Sequence, residues 1–212
     1  MSKKEHLQSL LEIKNMMNKS TRFISLSGIS GVLAGIYALI GAYFAYGILY
    51  KGVSNDFTYQ VKYITPHEAI LLLLIVCAVA IVAVLTAICL SYNKAKHNSE
   101  IIWNSTSKRL VINLTIPLGA GVIYLLISFL KNQLAEASAL MLLFYGLSLI
   151  NASKFTVGHI KILGFINVGL GLLCHYFSTY SFWFWVLGFG VMHIVYGLIM
   201  HYKLEERNGV DK

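Results

Sequence analysis

The chain has 212 residues, 57% of them hydrophobic and 12% charged, with a mean hydropathy of +0.68. An ordinary soluble domain is about 25% charged, so half that share with long uncharged runs excludes a soluble globule and predicts a polytopic membrane protein. The net charge of +8 gathers at the ends of apolar runs rather than along one face, and no nucleic-acid partner is expected.

Residues 1–22 are polar with a helical stripe, Leu10, Ile13 and Met17, ringed by Lys3, Lys4, Lys14, Lys19 and Arg22. This pattern predicts a basic amphipathic helix on the cytoplasmic membrane surface. The apolar run after it is too long for the core of a signal peptide.

Six apolar spans are read within residues 23–202. The first covers about 23–50, with Ser27, Gly31 and Gly35 on a small-residue face that suits close helix packing. Residues 57–63 alternate apolar and polar, as a short strand or an interfacial aromatic segment would. Thr65-Pro66-His67-Glu68 forms a capping box that opens the second span, about 67–91. The third span, about 110–130, contains Pro117, which has no N–H for the carbonyl of Asn113 and predicts a kink or hinge. The fourth covers about 134–151, the fifth 157–177 and the sixth 181–202, with a cytoplasmic tail over 203–212.

Between Tyr176 and Trp185 seven of ten residues are aromatic, the composition of an interfacial belt. With the N-terminus inside, fourteen of the seventeen Lys and Arg residues fall on the inner side. The positive-inside rule then gives an all-α bundle of six transmembrane helices with both termini cytoplasmic. Cys77, Cys89 and Cys174 are odd in number and form no C-x-x-C, so they read as small buried apolar residues. Leu118-Gly-Ala-Gly121 echoes Val168-Gly-Leu-Gly171, and Tyr145-Gly-Leu147 echoes Tyr196-Gly-Leu198, a faint trace of internal duplication.

No Asp, Glu, Lys or Arg lies in the centre of any span, and no hydrolase, metalloprotease or P-loop motif is present, which disfavours an enzyme. The sharpest polar constellation is Asn167 and His193, each half-way along its run. Gly164, Asn167, Gly171 and His175 share one helix face, and Gly190, His193 and Gly197 share another. The two spans are consecutive and expected to pack together. Asn167 and His193 would then form either an interhelical hydrogen bond or a ligand site completed by Tyr37 and Tyr145.

Threading places His67, Glu68, Glu136 and His175 near the outer surface, where two His and a carboxylate could ligate zinc or copper. Histidines paired at matching depth, His159 with His201 or His67 with His175, are what a membrane b-type cytochrome uses. All four lie at span ends, where water competes, so the cofactor is left open.

The stretch Met17-Asn-Lys-Ser-Thr-Arg-Phe-Ile-Ser-Leu-Ser-Gly-Ile-Ser-Gly-Val-Leu-Ala-Gly-Ile-Tyr37 resembles the N-terminal region of integral membrane proteins from Bacteroidetes. The resemblance covers about a tenth of the chain. It implies a multi-pass protein of a bacterial inner membrane and carries no activity or functional residue with it.

The sequence therefore predicts a non-enzymatic small-ligand sensor or accessory subunit of the inner membrane. Its contacts beyond the lipid bilayer, with a protein partner or a second copy, would run through the glycine faces and the basic N-terminal helix. The alternatives are a small-solute permease or channel and a haem- or metal-bearing redox protein.

Overall fold

The computed structural model describes residues 28–50, 64–97, 103–131, 136–156 and 159–210, with side chains as far as Tyr202. The amphipathic helix over 1–22, the alternating segment over 57–63 and the tail side chains lie outside the described residues. So does the start of the first span.

The elements among the described residues are all helices. They are α1 (Gly28–Leu49), α2 (Pro66–His97), α3 (Ser105–Leu130), α4 (Ala137–Ala152) and α5 (Ile160–Tyr176). The last span is α6 (Ser181–Trp185), a π-helical segment (Val186–Val191) and α7 (Met192–Val210), running on without a break. Five of these stretches are long and apolar enough to cross a membrane. The shorter apolar helix, α5, has 17 residues, about 26 Å of helix at 1.5 Å per residue.

The helix starts follow their capping chemistry. The Thr65 backbone N–H donates to Glu68 Oε2 (2.9 Å) and the Glu68 N–H donates to Thr65 Oγ1 (3.3 Å), the reciprocal pair of a capping box, so α2 begins at Pro66. Asn104 caps α3 by accepting from the Ser107 N–H at 2.8 Å. At its other end α2 runs six residues past the predicted limit of 91, because Ser91 to His97 is polar but holds no Gly or Pro to stop it.

Pro117 leaves α3 unbroken from Ser105 to Leu130. The Asn113 carbonyl that it deprives of a donor accepts instead from the Asn151 side-chain amide of α4, at 2.9 Å. A neighbouring helix thus holds the acceptor that the proline frees.

Within lipid there is no hydrophobic drive pulling helices together, so close approach through small residues decides which pairs form. A Cβ on Gly197 would sit 2.5 Å from Val32 N and 2.7 Å from Gly28 O, and one on Gly35 would sit 2.6 Å from Gly190 O. These glycines lay α1 against the last span. A Cβ on Gly146 would sit 2.7 Å from Gly164 O, and one on Gly171 3.1 Å from Ala139 O, which lays α5 against α4. The two consecutive last spans do meet, as expected, but their glycine faces make the closer approaches elsewhere, α5 to α4 and α7 to α1. The echoed glycines also behave alike. Gly119 and Gly169 face open space, while Gly121 and Gly171 pack against Phe144 and Leu143 of α4.

α2 packs on α1, and α3 on α4. Only 6% of the apolar stretch of each is buried. Cys77 and Cys89 are exposed on α2, contrary to the reading that all three cysteines are buried; Cys174 alone is. At one end of the bundle Tyr46 stacks on Tyr50 (4.5 Å) and both meet Phe182 (5.9 and 5.8 Å), tying the end of α1 to α6 through aromatic rings.

Candidate functional site

His193 is buried at the first turn of α7, and both of its ring nitrogens are engaged. Nδ1 lies 2.9 Å from Gly188 O, and Nε2 lies 2.6 Å from Tyr145 Oη of α4. A carbonyl only accepts, so Nδ1 carries the proton. In the neutral ring Nε2 then accepts from the Tyr145 O–H.

The backbone makes this possible. Across the π segment hydrogen bonds lengthen by one residue, with the Met192 N–H on Leu187 O. Gly188 and His193 are five apart, nearly opposite one another on a wheel of 3.6 residues per turn, yet the histidine ring reaches the Gly188 carbonyl.

Phe189 closes the site. Its ring is stacked 6.0 Å from that of His193 and lies 5.1 Å from that of Tyr145 and 5.1 Å from that of Trp185. On the other side, Leu114, Tyr145, Met192 and Tyr196 pack on the buried cluster of Leu149, Ile160 and Leu163.

Asn167 is fully buried on α5. Its Nδ2 donates to Leu163 O one turn back, at 2.9 Å. Its Oδ1 has no hydrogen-bond partner among the described residues. A Cβ built on Gly188 would come within 2.8 Å of that oxygen and collide with Leu142 Cδ2. The oxygen therefore looks onto the Cα–H side of Gly188, a weak donor. Asn167 and His193 are not bonded to each other as expected; Gly188 stands between them, its carbonyl on His193 and its Cα side on Asn167.

Of the other residues expected here, Tyr145 is the direct partner of His193. Tyr37 is not part of the site, since its hydroxyl accepts from Thr86 Oγ1 of α2 at 3.4 Å. The expected outer metal set does not assemble. Glu68 is occupied by the Thr65 cap, and Glu136 pairs with His175 (3.5 Å), both of them exposed. Among the described residues no three His, Cys, Asp or Glu converge at metal-binding distance. The sequence reading missed Gly188 and Phe189; the density of glycine over 188–190 was the available signal.

Away from this site the described residues form further cavities. A shallow groove of about 350 Å³ is lined by Phe177, Tyr180, Trp183, Phe184 and Leu187. A much smaller one is bounded by Ile48, Leu49, Ile64 and Glu68.

Glycine-directed helix contacts, apolar faces left open and polar groups bonded in the interior define a membrane-embedded, all-helical protein. Against known protein families, curated proteins and solved structures, the chain matches none.

Proposed function

We propose that this chain is a six-span, non-enzymatic accessory subunit of a bacterial inner membrane, with both termini in the cytoplasm. The observation that carries the reading is the openness of α2 and α3. Among the described residues each packs chiefly on one neighbour and leaves a long apolar face uncovered, while the glycine faces on which a partner had been expected are filled within the chain. A partner would meet α2 and α3 instead. The distribution of Lys and Arg supports the orientation, and α5 lies at the lower limit of about 17 residues for a spanning helix.

Photo-crosslinking in intact cells from Ile81 and Leu85 of α2 and from Ile116 and Ile123 of α3, all exposed, tests this reading. Adducts of one discrete size from these positions, absent from Gly197 and Gly146, are expected. Adducts to lipid alone would reject it.

A second reading, a small-solute permease, is favoured by the buried Asn167 Oδ1, which has no hydrogen-bond partner among the described residues. It requires vesicles carrying the protein to take up small polar solutes faster than empty ones, and Asn167→Leu to abolish the difference.

A further inference from the structure

Tyr145 and His193 form a more specific pair than helix packing demands. The phenol meets the imidazole at 2.6 Å, and the other ring nitrogen is anchored 2.9 Å from the Gly188 carbonyl. The phenolic proton thus faces a base whose second nitrogen is already fixed. Trp185, Phe189 and Tyr145 follow one another in ring contact, 5.1 Å at each step, from the aromatic end of the last span toward its middle. Trp183 at that end is exposed where lipid would lie.

We infer that Tyr145 is a proton-coupled one-electron redox site, with His193 as its proton acceptor and Phe189 as the bridge to Trp185. Tyr145 loses one electron as its phenolic proton crosses to His193 Nε2. The O–H bond breaks and the N–H bond forms, leaving a neutral phenoxyl radical and an imidazolium whose Nδ1–H stays on Gly188 O. The electron leaves through Phe189 and Trp185. The oxidant is a peroxyl radical of a neighbouring lipid, which takes the electron together with one proton from interfacial water, becomes a hydroperoxide and leaves one hydroxide in the aqueous phase to balance the imidazolium. His193, Gly188 and Phe189 are positioning residues; Tyr145 alone changes oxidation state.

The test uses the full chain in mild detergent, oxidised by flash-generated tris(bipyridine)ruthenium(III) and frozen for electron paramagnetic resonance. A long-lived neutral tyrosyl signal is expected, narrowed when ring-deuterated tyrosine is incorporated and lost in Tyr145→Phe. His193→Gln keeps an acceptor for the phenol but no base, and is expected to shorten the lifetime of the radical. Phe189→Leu retains the tyrosine–histidine pair and is expected to slow formation of the radical.

A purely structural hydrogen bond would move none of these readouts. Persistence of the signal in Tyr145→Phe, or the same lifetime in His193→Gln, overturns the site, and an unchanged rate in Phe189→Leu overturns the bridge. For the oxidant, vesicles of polyunsaturated phosphatidylcholine with a lipid-soluble azo initiator are expected to consume oxygen more slowly with the wild-type chain than with Tyr145→Phe. Equal consumption overturns the assignment to lipid peroxyl radicals.

Discussion

The side-chain amide of Asn151 donates to the backbone carbonyl of Asn113, the acceptor that Pro117 strands one turn below itself. A defect in α3 is thus made good by a residue of α4, and the repair also fastens the two helices. Asn151→Leu is expected to lower stability by about 1 kcal/mol, the usual cost of an unmet buried acceptor. In a Pro117→Ala background the helix supplies its own N–H, and the same substitution should cost much less. A double-mutant cycle on thermal unfolding in detergent reads the difference; additive effects would reject the repair.

The glycine seams predict opposite outcomes at two kinds of position. Gly197→Val would press a side chain onto the backbone of α1 at Gly28 and Val32, where overpacking costs about 1–3 kcal/mol. Gly119→Ala meets nothing within 4 Å and should raise stability slightly, by about 0.5–1 kcal/mol, through the lower helix propensity of glycine. Melting temperatures of the two variants, compared in one detergent, check both signs.

Tyr145→Phe removes one hydroxyl and leaves His193 Nε2 without its partner. The expected loss of stability is about 1 kcal/mol, close to the average of about 0.6 kcal/mol for hydrogen bonds between membrane helices. Gly188→Ala should be worse, because its methyl group would strike both Leu142 and Asn167 Oδ1. An alanine at position 188 that unfolds no earlier than wild type would contradict the packing described here.

At the start of α2, Thr65→Ala is expected to cost about 1 kcal/mol, the usual effect of losing an N-cap. Glu68→Gln retains an acceptor for the Thr65 N–H and should cost less. Amide exchange of His67, Glu68 and Ala69 would report the fraying directly, with faster exchange in Thr65→Ala.

Much of this arrangement was legible in the chain. The long apolar runs mark the helices, and the Thr65–Glu68 motif fixes the start of α2 to the residue because capping is local chemistry. Asn167, His193 and Tyr145 stood out as uncharged polar groups in apolar surroundings. What stayed hidden depended on long-range choice or on a change of helical period. Which helix each glycine face selects is settled in three dimensions, so α5 takes the helix before it and α7 goes to α1 at the far end of the chain, a choice that sequence proximity does not indicate. The bond from His193 to Gly188 spans five residues, a spacing that periodicity of 3.6 places on opposite sides. The Asn151–Asn113 bond joins residues 38 apart, and no local pattern announces it.

The π segment over Val186–Val191 adds one residue to the turn it occupies, and one residue is about 100° of rotation on a regular helix. The last span therefore has two angular phases. The half that carries the aromatic end faces one set of neighbours, and the half after Met192 faces α1 in a different setting. A single deletion within 186–191 would erase the extra residue and merge the phases. The same deletion two turns further along would rotate Gly197 away from Gly28. Within that six-residue window a change of length would also alter the five-residue spacing that brings His193 onto the Gly188 carbonyl.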